Sequence, residues 1–179
     1  MRSVLISIKP QWCELIANGQ KTIEVRKTHP TIETPFKCYI YECNWKDNSY
    51  YKFHHKNKIG KVIGEFICDK IEAYEFGGYE TDYLVNHTQL DAMRLNYIDL
   101  IKYGKCKTLY GWHISNLVIY DESKKLSDFM RVCDGACSVC SNYQNFVRYG
   151  DFSIGTCDLA DRLITRAPQS WCYVEEVEQ

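Results

Sequence analysis

The chain reads as six strand-like stretches, residues 2–8, 22–27, 37–43, 61–74, 112–120 and 170–174, interrupted by segments of helical spacing. The clearest stretch is 22–27, where Ile23 and Val25 face one way while Thr22, Glu24 and Arg26 face the other. Alternation of period two predicts a half-buried strand, here with a charged face. Residues 37–43 carry apolar groups on both faces, and 61–74 is long enough for one strand or a bent pair. Such strands are covered on two sides, as in a small barrel.

Helical spacing occurs in three places. Pro10 suits a first helical turn, Trp12, Leu15 and Ile16 share one face as core packing, and Gly19 supplies a left-handed stop. From Thr88, a plausible cap, Leu90, Met93, Tyr97, Leu100 and Ile101 recur every three or four residues up to Gly104, predicting one insertion helix. Residues 125–130 predict one or two further helical turns.

Two further features carry candidate chemistry. Residues 44–58 combine Trp45, Tyr50, Tyr51 and Phe53 with four lysines, which fits stacking on bases beside phosphate neutralisation, or equally a hairpin whose rings cover a barrel end. Glu65, between Ile63 and Ile67, sits at a rim or is buried with a cation such as Lys21 or Arg26, since an unpaired buried charge is costly.

The 179 residues fit one domain with a sizeable core, and 45% apolar with 25% charged residues is ordinary for a globular protein, so disorder is not expected. A formal net charge of -1 argues against a long nonspecific polyanion footprint and leaves room for a local basic cleft. No apolar run approaches the roughly 20 residues of a membrane span, and the N-terminus lacks signal-peptide order. The expected location is cytoplasmic, where ten cysteines are reduced thiols rather than disulfides.

Four of them cluster as Cys133-x3-Cys137-x2-Cys140-x16-Cys157 in a segment, about 131–163, that loses its apolar periodicity. Two thiolates spaced C-x2-C can reach one ion from a tight turn, so the expectation is a structural zinc, closed by four sulfurs and lacking an open position for catalysis. The other six are spaced too widely for a second site and are expected to pack as small apolar residues.

Residues 4–26 resemble the ASCH domain (activating signal cointegrator homology), a branch of the PUA-like nucleic-acid-binding superfamily. Gly19, Lys21, Glu24 and Arg26 match its G-x-K-x-x-E-x-R signature, and the stretches 111–115 and 168–176 are similar to later parts of the family. The resemblance implies the α+β class, a PUA-like β-barrel with peripheral helices. It does not cover 79–103 or 131–163, whose own patterns predict a helical insertion at about 79–104 and the cysteine-rich zinc segment, all within a single domain over 1–179.

The resemblance also implies a function, the binding of RNA or a modified nucleotide in a charged barrel cleft. Lys9, Lys21 and Arg26 would meet phosphate, Trp45 or Trp112 a base, and Gln169 and Ser170 would line the cleft. Some members instead hydrolyse the acetyl amide of acetylcytidine, and others are described as ribonucleases. For that chemistry Lys21 and Glu65 match the family, while Glu24 occupies the position of a catalytic threonine and would act as a general base on water. A protein-interaction adaptor is the third reading.

Overall fold

The alternation of residues 3–8 becomes β1 (Ser3–Ile8), in which Val4, Ile6 and Ile8 enter one apolar cluster and Leu5 another. The structure, a computed structural model, describes residues 2–44, 59–75, 85–132 and 162–176. After β1 come α1 (Pro10–Ala17), β2 (Ile23–Arg26), β3 (Phe36–Glu42) and β4 (Lys61–Tyr74). Then follow α2 (His87–Met93), α3 (Tyr97–Gly104), β5 (Leu109–Lys124), a 3-10 turn (Leu126–Asp128), β6 (Phe129–Arg131) and β7 (Trp171–Glu176).

Seven strands form one mixed sheet in the order β2-β5-β4-β3-β1-β7-β6, parallel between β1 and β3 and antiparallel elsewhere. The α+β class holds, but the expected barrel closure does not: among the described residues the ladder is open, with β2 and β6 at its ends. β7 lies between β1 and β6 and so cannot seal the sheet against β2. The β2 edge is protected differently, because the Thr22 amide donates to the carbonyl of Ala92 in α2 at 2.9 Å. A helix end covers the strand edge that a barrel would have paired.

The insertion is two short helices rather than one. Arg94, with φ of 55°, turns the chain into the left-handed region, and the Asn96 side chain then caps α3 by accepting from the Asp99 amide. The cap of α2 is Asn86 rather than Thr88, in a reciprocal box with Gln89. Residues 125–130 also depart from expectation: after the 3-10 turn Phe129 goes into β6, buried against Tyr39 with ring centroids 4.7 Å apart. Burying that ring on the sheet outweighs a weak helical spacing.

Three apolar clusters build the core. The first lies between α1 and the sheet, around Ile16, Phe36, Phe66 and Trp112. The second joins β2 to the insertion helices through Ile23, Val25, Met93, Leu100 and Leu109, and the third packs β6 and Val174 on the opposite face. Among the described residues no helix is long and apolar enough to cross a membrane.

Candidate nucleotide-binding cleft

β2 emerges from α1 through Gly19, whose φ of +69° ends the helix as its sequence position predicts. All four residues of β2 are buried, and with Lys21 they place three charged side chains together. The Glu24 carboxylate lies between two cations, Oε1 at 3.0 Å from the Arg26 guanidinium and Oε2 at 3.4 Å from Lys21 Nζ. Buried charge is tolerated only when it is paired in this way.

Each cation has further anchors. Lys21 Nζ donates to the carbonyls of Ile23 at 2.8 Å and Met93 at 2.6 Å, so with Glu24 its three protons face three acceptors. Burial lowers the Lys21 pKa, Glu24 opposes that fall, and Arg26 adds to it. The Arg26 guanidinium donates to the Ser7 carbonyl at 2.7 Å, while its buried Nε has no partner among the described residues.

These charges form the floor of a cleft of about 730 Å³, within the range of small-ligand sites. One wall is Trp12 on α1, half-buried, with its ring centroid 5.2 Å from Lys21 Nζ. The insertion helices bring Leu95, Asp99 and Tyr103, and the segment before β7 brings Pro168 and Gln169. Ser7 fastens that last segment, its hydroxyl donating to the Pro168 carbonyl at 2.7 Å and its amide to the Ser170 carbonyl at 2.9 Å.

Among the described lining residues, the cations Lys9, Lys21 and Arg26 face the carboxylates of Glu24 and Asp99, an excess of positive charge. Burial pushes the Tyr103 hydroxyl above its ordinary pKa, against Arg26 and with Glu24. Burial likewise pushes up the half-buried Cys43 thiol, which also lines the cleft. Both are neutral donors at physiological pH, so Cys43 offers no thiolate nucleophile there.

No family model matches the sequence, and no curated protein matches it. In three dimensions the chain is similar to crystal structures of ZmASCH, the ASCH protein of Zymomonas mobilis. A serine-to-alanine mutant of that protein superposes with a TM-score of 0.54, at 14% identity, over 97% of this chain and 88% of its own. A second structure of ASCH from the same organism gives 0.50, also at 14% identity, over 97% and 87%. This chain has the ASCH fold.

Within the ASCH fold, the signature residues Lys21, Glu24 and Arg26 converge at the cleft floor, and Lys9 and Gln169 line it. Three expected participants lie elsewhere. Glu65 projects from β4 toward Lys37 at 2.8 Å and the Tyr120 hydroxyl at 2.5 Å, not toward Lys21 or Arg26. Burial pushes its carboxyl up, but Lys37 and Tyr120 outweigh that and hold its pKa below the usual range. Trp112 is wholly buried between Phe36 and Trp171, at 5.9 and 6.0 Å between centroids, and presents no face to a base. Ser170 contributes its backbone carbonyl to Ser7 and does not line the cleft.

Trp45 and the cluster Cys133, Cys137, Cys140 and Cys157 lie outside the described residues. Of the other cysteines, Cys13, Cys38 and Cys68 are core residues as expected, whereas Cys106 is exposed. Sequence reasoning missed Trp12 and Tyr103. Trp12 shares a helix face with Leu15 and Ile16 and so reads as core, although it is only partly buried against that cluster. Its nearness to Lys9, three residues earlier at the cap of α1, was the available signal. Tyr103 comes from an insertion whose docking site no local pattern encodes.

Proposed function

We propose that the cleft binds one nucleotide, of RNA or of a modified nucleotide, as a recognition site rather than a catalytic one. The observation that carries this reading is the pairing of a buried, net cationic floor, Lys21-Glu24-Arg26, with the aromatic walls Trp12 and Tyr103. A base stacks on an aromatic ring irrespective of its sequence, while cations beside the ring meet its phosphate. Because a fold hosts many functions, the ASCH likeness supports the reading only through these side chains.

Hydrolysis draws less support. A lysine with all three protons directed at acceptors is a positioned cation, not a nucleophile. Glu24 sits between two cations, an arrangement that orients them, and Glu65 is committed to Lys37 and Tyr120.

The test is an equilibrium titration of nucleoside monophosphates and short single-stranded RNA against the wild type, Trp12→Leu and Tyr103→Ala. Loss of one stacking partner costs about 1–3 kcal/mol, so each variant should bind roughly 5- to 150-fold more weakly while melting as a folded protein. Full-strength binding by both variants, or no binding of any nucleotide by the wild type, overturns the proposal.

A further inference from the structure

The net charge of -1 conceals a segregation that becomes visible beside the cleft. Between Leu100 and Tyr120 the chain carries Lys102, Lys105 and Lys107 and no aspartate or glutamate. In the structure Lys102 lies in the last turn of α3, and Lys105 and Cys106 take successive left-handed conformations, φ 52° and 59°. That reversal closes with the Lys107 amide donating to the Gly104 carbonyl at 3.2 Å, and all three lysines are exposed.

A fourth cation joins them from another element. Arg26 pairs with Tyr110 at the start of β5, so the next residue, Lys27, leaves β2 beside the turn that bears Lys105 and Lys107. Its Nζ stands 4.7 Å from the ring centroid of Tyr103, the same ring that walls the cleft. None of the four lysines has an ion-pair partner among the described residues. Four exposed cations with no paired carboxylate among the described residues repel one another and favour an external polyanion.

We propose that Lys27, Lys102, Lys105 and Lys107 form a phosphate track that holds the nucleotides flanking the one in the cleft, so that the ligand is an extended single-stranded RNA. This rests on the nucleotide reading of the cleft and extends it from one residue to a strand. Tyr103 is the junction: its ring meets the base on one side and Lys27 on the other. An unpaired strand is required, because a base held in a duplex cannot enter the cleft.

The experiment compares a mononucleotide with a single-stranded RNA of about eight nucleotides, inside the range of single-strand sites. Both are titrated at several salt concentrations against the wild type, a triple variant Lys102→Gln, Lys105→Gln, Lys107→Gln, and the matching triple arginine variant. Loss of three phosphate contacts should lower the slope of log affinity against log salt by about 2 and weaken the oligonucleotide about tenfold or more at low salt. Mononucleotide affinity and melting temperature should stay as in the wild type, and the arginine variant should restore oligonucleotide binding.

An unchanged oligonucleotide affinity and slope in the glutamine variant overturns the track. So does a wild type that binds the oligonucleotide no more tightly than the mononucleotide. Salt-sensitive, lysine-dependent oligonucleotide binding without any mononucleotide binding would uphold the track and remove the cleft reading instead.

Discussion

Lys21 Nζ and the Met93 carbonyl meet at 2.6 Å across 72 positions of sequence, joining the cleft floor to the C-terminal end of α2. The same helix end accepts the Thr22 amide through Ala92, so two adjacent hydrogen bonds hold the insertion to the residues that lead into β2. The helices that deliver Asp99 and Tyr103 to the cleft therefore depend on a floor residue for their position.

That dependence predicts the consequence of Lys21→Met. The substitution keeps an apolar stem of similar length but leaves Glu24 buried with one cation and strips a donor from the Met93 and Ile23 carbonyls. Breaking a buried pair from one side costs about 3–5 kcal/mol. The denaturant midpoint should fall accordingly, and amide exchange should rise first in α2 and α3. A variant as stable as the wild type, with unchanged exchange in those helices, would show that the contact is incidental.

The parts of this architecture that were legible in sequence are the ones set by local rules. Pro10 at the head of α1 and Gly19 at its end are short-range consequences of side-chain shape and appear as expected. Ile23 and Val25 enter one apolar cluster as the alternation predicts, although the charged face expected to be half exposed is buried as well. The convergence of Lys21, Glu24 and Arg26 was likewise visible, since Glu24 and Arg26 share a strand face and Lys21 immediately precedes it. What sequence could not give was long-range choice. Glu65 found Lys37 on the neighbouring strand, because in the register Tyr39↔Glu65 that lysine lies close by, and β7 chose a position inside the sheet rather than at its open end. Trp112 was offered to a base by the resemblance alone, and the packing of Phe36 and Trp171 around it decides for the core.

The cysteine spacing carries an expectation that rests on chemistry alone. Four thiolates supply a complete tetrahedral sphere, and Cys137-x2-Cys140 is the spacing by which one turn provides two of them. Purified protein should hold about one zinc per chain by native mass spectrometry, and Cys137→Ser should lose it together with thermal stability. Fully folded protein that carries no zinc would remove the metal from the description and leave four thiols exposed to oxidation.

A carboxylate on the far strand predicts how the fold responds to acid. Glu72 Oε2 accepts from the Tyr74 hydroxyl at 2.8 Å and Gln89 Nε2 at 3.2 Å and lies 3.0 Å from His113 Nε2, while Oε1 takes the Lys70 ammonium. Lys70 foremost, then Tyr74 and His113, outweigh burial and bring its pKa from 4.5 down to about 2. A depressed carboxyl stabilises the fold above its unfolded pKa, and that contribution is lost as pH falls from 4.5 through about 2, below which both states are protonated. Lys70 is largely exposed, so solvent screening reduces the effect to on the order of 1 kcal/mol. Glu72→Gln should accordingly be less stable than the wild type at neutral pH and converge with it only below about pH 2, the difference tracing the titration in between. Because Gln89 also completes the cap of α2, the loss should appear in the insertion helices before it reaches β1 and β3. A constant gap between the two proteins across the acid range would assign Glu72 a packing role and take the titration out of the account.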